Sequence, residues 1–514
     1  KGLFVFTPVA LVAVVGLMRQ LKRGDVWTGA TLGAAVLAHI VFIGRWSEWH
    51  GGESFGPRML TDALPLLFAF LPSGFDALPR IAPVLGIASV AIQALNAVTG
   101  ILLARSLGPH GRGELTAVML WPNLLAVVGS LGIVEAITYH AARAAAPPHH
   151  LVGSGLALGL VQSATLAGAG ALVVPQVLGD YGPAAVSSAY LYLAYIPLHF
   201  LALYLMAIIG GLHWYGTFQA LRMLVILLSA AGLVVVAAAG MLTVRTAVVA
   251  YLVANLATAL AAAVALRVWR TRPRVDRGLV RRLLAFGARS HGGTVSSTLN
   301  ERLDQLLISV FLAPASLGLY VVAVTLTSVT SLVGTSTALV ALPSVASTPA
   351  GPQQLRKARR LIVVTLLGSL AVTGPVLLFL PTLVDVFFGV AYRGAVNPGR
   401  VLLAAAVAFS VGRSLGAVLR AVGRPLDAGL AELVALGATV LGLAVLLPRL
   451  GLMGAALSSL GAYVLGAGWM AVRLARALRV SPWALLLPDR ELLALAPRIA
   501  PTLGPIGRPG GGPE

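Results

Sequence analysis

Between Leu283 and Leu312 an otherwise apolar run carries Arg289, His291, Asn300, Glu301, Arg302 and Asp304. The run is long enough to cross a bilayer, which takes about 20 helical residues. An ionisable group at bilayer depth costs roughly 2.5–3.5 kcal/mol on insertion scales. A lipid-facing helix does not tolerate several, so these groups must face other helices or a water-filled cavity. At helical spacing, Arg289, Gly293, Ser297, Asn300 and Asp304 share one stripe, with Glu301 at its edge and Arg302 pointing well away. Three arrangements follow. The stripe lines a cavity and Arg302 meets a neighbouring helix; or Arg302 lines the cavity; or Arg302 and the carboxylates only neutralise one another within the bundle. Arginine offers charge-assisted, often bidentate bonds to anions. An acid inside a span can hold H⁺ or Na⁺, and Glu301 with Asp304 reads as the only acidic pair well inside the bundle. His291 has no metal-ligand partner at helical spacing.

The elements that must position these groups follow from composition. The 514 residues are 58% hydrophobic and only 11% charged, against about 25% charged in soluble proteins. The chain reads as an all-α polytopic membrane protein, because its apolar runs lack the alternation of barrel strands. Its 57 glycines suit close helix packing. The net charge of +20 is not a nucleic-acid signal, since it sits in loops between spans. The absence of cysteine excludes disulfides, thiolate chemistry and cysteine-bound metal. No P-loop motif is present, so ATP is not expected to drive the protein directly. No cleavable signal peptide is visible, and a chain opening on Lys1 suggests a fragment or a processed form.

About three spans lie in residues 1–80, around a Trp- and Gly-rich loop, Gly44–Arg58. From Ile81 about twelve more follow, near 82–104, 115–138, 151–178, 184–209, 217–241, 246–266, 283–312, 317–345, 361–387, 401–419, 427–447 and 453–472. Pro122, Pro197 and Pro375 fall inside spans and are expected to kink or break them. With the basic loop Arg267–Arg282 placed in the cytoplasm, about 25 Lys and Arg lie inside and about 9 outside, as the positive-inside rule requires. Residues 479–514 become a cytoplasmic tail. The two halves also repeat: Leu107, Pro109, Gly113 and Gly129 fall on Leu312, Pro314, Gly318 and Gly334 at one constant offset. The same offset sets Asn96 opposite Glu301. Two six-helix lobes, 81–270 and 283–478, are expected as parallel repeats with a substrate site between them near the midplane.

Three runs carry a family resemblance. Ile101–Arg143, Glu301–Ala323 and Leu446–Gly466 resemble the oligosaccharide (Wzx-type) flippases of the MOP exporter superfamily, over about residues 81–480. His50–Phe70 resembles a late segment of GT-C type membrane glycosyltransferases, without the acidic residues of their first outer loop. Residues 1–80 therefore read either as an enzyme remnant or as extra non-catalytic spans. The flippase resemblance implies a MOP/MATE-like non-enzyme. It would move an undecaprenyl-diphosphate-linked repeat unit across the bacterial inner membrane, with possible H⁺ or Na⁺ coupling and no other cofactor. Polysaccharide polymerase and glycosyltransferases are the implied partners. On that reading Arg302, Arg413, Arg289, Asn300 and Asn96 would bind diphosphate or glycan. Asp304, Glu301 and Glu135 would serve coupling or gating, Glu135 with His140 and Arg143. Blander roles stand beside these: Arg289 snorkelling to headgroups, Glu135 in interfacial pairing, Asn96 as a hydrogen bond between helices. Arg105 and Arg112, in the first outer loop, could meet the departing diphosphate or simply be exposed charges. A cation-coupled drug antiporter is the alternative, followed by a membrane glycosyltransferase.

Overall fold

The computed structural model describes residues 82–144 and 146–486. The three early spans, the glycosyltransferase-like segment and the end of the tail lie outside the described residues. Within them every regular element is helical: α1 Ala82–Gly129, α2 Ile133–Ala142, α3 Pro148–Leu178, α4 Pro183–Tyr192, α5 Tyr195–Gly211, α6 Tyr215–Ala238, α7 Val244–Ala265, α8 Val268–Thr271, α9 Arg277–Phe311, α10 Pro314–Ala346, α11 Pro352–Leu378, α12 Leu380–Phe387, α13 Val396–Ala421, α14 Pro425–Leu450, α15 Leu452–Leu478 and α16 Pro482–Leu486. Among the described residues nine helical spans are long and apolar enough to cross a membrane, or up to ten if the bent pair α1–α2 counts as one. The chain is a multi-pass membrane protein. The 35-residue α9 is long enough but too polar to be counted.

Local chemistry sets the ends. Proline opens α3, α4, α11 and α14, where its missing N–H is not needed. Thr243 and Thr246 cap α7 reciprocally, at 3.2 and 2.8 Å. Asp276 caps α9, its carboxylate accepting the N–H groups of Gly278 and Leu279 at 2.8 and 3.1 Å.

The boundaries depart from expectation in three places. The first two spans form one element, α1, broken at Gly108, whose φ of 66° glycine adopts without a Cβ penalty. The break thus precedes Pro109, while Pro122 is carried inside the helix. The span expected at 184–209 is divided into α4 and α5, ahead of Pro197. The span expected at 361–387 is divided into α11, which ends three residues beyond its Pro375, and α12.

The residues group into two compact units. Unit 1 runs to Thr298 and takes in Gln305–Thr325 and Val384–Arg393; unit 2 holds Leu299–Asp304, Leu326–Leu383 and everything from Gly394. Unit 1 has a core that includes Ile133, Ile137, Phe200, Tyr204, Ile208 and Leu283. A core of unit 2 includes Val411, Leu415, Val418, Met470 and Leu474. Lipid is as apolar as these side chains, so close packing rather than water exclusion holds the helices together. In unit 2 a Cβ on Gly442 would sit 2.9 Å from the Ser458 hydroxyl, and one on Gly466 3.1 Å from Ala435 Cβ. Small residues set that approach between α14 and α15.

The α9 cap also carries charge. The backbone N–H of Leu279 holds the Asp276 carboxyl below its ordinary range against a desolvation penalty, with Gly278, Arg282 and His150 adding to the effect. A carboxylate depressed in the folded state stabilises the fold above its unfolded pKa, and that stability is lost as pH falls through the folded value. Asp276→Ala is expected to lower the thermal midpoint at neutral pH. The gap to wild type should close progressively below about pH 4, measured by thermal unfolding of detergent-purified protein across pH.

Candidate functional site

Unit 2 gathers five of the expected residues. One turn of α9 supplies Asn300, Glu301, Arg302 and Asp304, and α13 supplies Arg413. Asn300 and Asp304 are buried, each 5% exposed, whereas Glu301 and Arg302 are exposed. The expected stripe therefore turns inward at these two positions. The Thr439 hydroxyl of α14 donates to Asn300 Oδ1 at 3.1 Å, and the Ser459 hydroxyl of α15 donates to Asp304 Oδ2 at 3.3 Å. The Tyr463 hydroxyl donates to the Asn300 carbonyl at 3.4 Å.

The other side of the turn is ionic. Arg413 Nη1 lies 3.4 Å from Glu301 Oε1. Its guanidinium stands 5.6 Å from the Phe409 ring centroid, and Phe409 packs on Tyr463 at 5.0 Å. Arg302, Arg413 and Glu432 of α14 lie within electrostatic range of Glu301, and Arg420 lies within range of Glu432 and Arg413. Glu432 Oε2 also sits 3.5 Å from Asn300 Nδ2, at the limit of a hydrogen bond. The cluster thus holds three carboxylates and three guanidinium groups. The reading of Glu301 and Asp304 as the only acidic pair is corrected: Glu432 belongs with them. It was detectable as an acid inside the span 427–447. Arg420 was not, because it falls at a span end where basic residues are ordinary, and Tyr463 gave no signal among apolar neighbours.

Unit 1 holds the remaining sequence-derived residues apart from one another. Asn96 on α1, Glu135 on α2 and Arg289 on α9 are exposed. The expected grouping of Glu135 with His140 and Arg143 does not form, because five residues of helix turn His140 away from Glu135. Arg143 instead bonds the Tyr139 hydroxyl at 2.6 Å, and His140 stands edge-on to Tyr139. His291 Nε2 contacts the Val128 carbonyl at 2.8 Å. No metal-binding group of three or more ligands occurs among the described residues.

Unit 1 also has a polar aromatic row that the sequence did not announce. Tyr192 stacks on Tyr195 at 5.1 Å, Tyr195 stacks on His199 at 4.9 Å, and the Tyr195 hydroxyl bonds His199 Nδ1 at 2.9 Å. The Arg112 Nε is buried without a hydrogen-bond partner, within range of Tyr251 and Tyr392.

Residues 82–348 match the family described as polysaccharide biosynthesis protein. The chain belongs to this family. Its turn of α9, with Asn300, Glu301, Arg302 and Asp304, lies inside the matched residues, whereas Arg413, Glu432 and Tyr463 lie beyond them. The fold of this family member is similar to that of a multidrug resistance MATE family transporter of the MOP superfamily in an inward-facing conformation. That likeness has a TM-score of 0.58 at 15% identity and covers 77% of this chain and 99% of the other. It is also similar to the lipid II flippase MurJ in an inward closed conformation, with a TM-score of 0.63 at 11% identity, covering 76% and 88%. No curated protein matches at the level of sequence. These two neighbours in fold are a transporter and a flippase rather than enzymes.

Burial separates two ion pairs of the unit. Glu301 and Arg413 keep 43% and 37% of their side chains exposed, so their pairing contributes only about 0–1 kcal/mol. Asp427 is 7% exposed and is held by Arg473, with Nε at 2.7 Å, and by Arg424 at 3.0 Å. Asp427→Ala is expected to cost about 1.5–3 kcal/mol, discounted because both arginines keep some solvent. Glu301→Gln should cost under about 1 kcal/mol. Thermal unfolding in detergent compares them.

Proposed function

We propose that this chain flips an undecaprenyl-diphosphate-linked oligosaccharide repeat unit from the cytoplasmic to the outer leaflet of the bacterial inner membrane. It would do so for cell-surface polysaccharide such as O-antigen or exopolysaccharide, by alternating access of two lobes around a cationic cavity. In this reading both ends of the flippase part are cytoplasmic, and polymerase and glycosyltransferases are its partners. Membership in the polysaccharide biosynthesis family supports the substrate class. One observation carries the mechanism: Arg413 is bound to Glu301 by a pair that solvent can reach on both sides.

Such a pair can exchange partners. A diphosphate offers Arg413 several acceptor oxygens and can take it from a single carboxylate contact 3.4 Å away. Arg302, on the same exposed side of α9, adds a second cation. Glu301 is then left without its cation beside Glu432, and taking up H⁺ or Na⁺ relieves the repulsion. In this mechanism Asp304, tied to Ser459, holds the turn, and Glu301 is the group that exchanges. Asn300 positions α9 rather than touching substrate. Arg289 and Asn96 remain candidates for glycan and headgroup contact, and Glu135 for the cytoplasmic entrance.

The drug antiporter is the second reading, favoured by likeness of fold. The cluster's three arginines are balanced by three carboxylates, so the preference for an anionic lipid-linked substrate over a cationic drug rests on family membership.

The test uses cells lacking the gene and proteoliposomes carrying a fluorescent polyprenyl-diphosphate disaccharide. Deletion should abolish polymer and accumulate the lipid-linked repeat unit. Arg413→Ala and Arg302→Ala should each slow flipping roughly 10–100-fold, the equivalent of one charge-assisted bond of about 1.5–3 kcal/mol. Glu301→Gln should leave binding intact while removing dependence on an imposed H⁺ or Na⁺ gradient. Full rescue of the deletion by both arginine variants would exclude the cationic site, and wild-type flipping indifferent to both gradients would exclude the coupling role.

A further inference from the structure

The segment joining α7 to α9 carries seven arginines in sixteen residues: Arg267, Arg270, Arg272, Arg274, Arg277, Arg281 and Arg282. All seven are exposed. None of them forms an ion pair among the described residues. The one acid of the segment, Asp276, is committed elsewhere: its carboxylate caps α9 and lies 3.6 Å from His150 Nδ1.

The backbone beneath these arginines is pinned, and every contact that pins it lies within unit 1. The Arg274 N–H donates to the His149 carbonyl at 3.1 Å, and the Asp276 N–H donates to the Ser154 hydroxyl at 3.0 Å. Gly153 lets the segment lie directly on α3, since a Cβ there would sit 2.3 Å from the Arg274 carbonyl oxygen. Arg267 and Arg272, on either side of the one-turn α8, hold left-handed φ values of 50° and 45°. The backbone is spent on α3 and on the α9 cap, and the guanidinium groups are left in solvent. The segment is an ordered strap rather than a loose basic loop.

Its level in the bilayer follows from the helices beside it. α7 has 22 residues and ends at Ala265; that length rises about 33 Å, enough to cross the roughly 30 Å hydrocarbon layer. Arg267 therefore emerges among the headgroups. α6 packs along α7, where a Cβ on Gly232 would lie 3.3 Å from Ala250 Cβ, and the short connection 239–243 makes the two antiparallel. The start of α6 thus lies at the same end as the strap. It carries Trp214 and Tyr215, 46% and 53% exposed, the residue types that settle at headgroup level.

We propose that the strap binds the phosphate headgroups of anionic phospholipids of the phosphatidylglycerol type. A guanidinium gives paired, charge-assisted bonds to phosphate oxygens, and all seven basic residues are arginine rather than lysine. A backbone already fixed loses little further order when the lipids bind. Charge, level and rigidity all match a phosphate at the membrane surface. The inference does not depend on what the chain transports.

Native mass spectrometry of the full chain in neutral detergent, titrated separately with phosphatidylglycerol and phosphatidylcholine, reads the binding. Phosphatidylglycerol should bind roughly tenfold or more tightly, and the difference should shrink as ionic strength rises. A basic residue at an anionic surface contributes about fivefold in binding, so Arg270→Gln, Arg272→Gln and Arg274→Gln together should weaken phosphatidylglycerol roughly 100-fold and leave phosphatidylcholine unchanged. Arg245→Gln removes an exposed arginine at the other end of α7 and should change neither. If the triple variant does not elute as wild type in size exclusion, Arg272→Gln carries the test, with a loss of about fivefold. Inorganic phosphate in large excess should leave the lipid bound. Equal binding of the two lipids overturns the proposal, as does a folded strap variant with unchanged affinity or an equal loss in Arg245→Gln. Displacement by inorganic phosphate would mark a free-phosphate site and also overturn it. So would a strap that binds polyglutamate without preferring phosphatidylglycerol, which would mark a surface for an acidic protein.

Discussion

Charge in a low-dielectric bilayer must be paired or hydrated, and α9 shows both solutions within one turn. Asn300 and Asp304 are taken up by hydroxyls of α14 and α15, bonds that hold α9 against its neighbours. Glu301 and Arg302, one and two positions after Asn300, stay exposed. The helical period makes this division unavoidable, because adjacent residues differ by about 100° in direction. α9 thus keeps its packing polar groups on one side and its exposed charges on the other. The low apolarity of α9, which sets it apart from the other long helices, follows from carrying both sets.

The second constraint is the approach of backbones. Helices in lipid gain little from apolar burial against each other, so tight joints are built where side chains are smallest. Gly442 on Ser458 and Gly466 next to Ala435 bring α14 and α15 together, and the Ser459 that holds Asp304 lies on the same α15. The polar network therefore depends on the glycine packing: a larger residue at Gly442 would move Ser459 away from Asp304. Gly113 and Gly318 use the same device differently, since Gly113 meets the Pro314 carbonyl oxygen and Gly318 the Pro109 carbonyl oxygen rather than a side chain.

Much of this was legible in the chain because hydropathy and charge act locally. The spans, their helical nature and the anomaly of Leu283–Leu312 follow from composition along the sequence. The repeat, read from four matched residues, has a physical counterpart in the reciprocal contact of Gly113 and Gly318. What sequence left open was direction. Periodicity placed Asn300 and Asp304 on one side and Arg302 on another, but which side meets protein depends on Thr439 and Ser459, more than 130 residues away. Glu432 escaped notice for a related reason: no acid stands within a helical turn of it, so it resembled an isolated acid, and only its closeness to Asn300 and Glu301 gives it a role. The division at Leu193–Ala194 was hidden because its residues are as apolar as their neighbours.

The balance of charge in the unit 2 cluster is itself informative. Three carboxylates against three guanidinium groups leave no large net charge when nothing is bound, which keeps the cost of exposing them small in the absence of ligand. An uncompensated trio of arginines would bind a diphosphate tightly and release it slowly. Arg413, already paired to Glu301, must exchange partners, so its gain on binding would be offset by a carboxylate set free. That lowers affinity, but a transporter needs turnover more than tight binding. On the proposed mechanism it also leaves a carboxylate whose charge a proton or a cation would settle, which would link substrate binding to ion binding through the same two atoms, Arg413 Nη1 and Glu301 Oε1. A half-exposed pair of little worth to stability can therefore carry the coupling, while the buried Asp427 pairing, which contributes more to the fold, cannot exchange without loosening it.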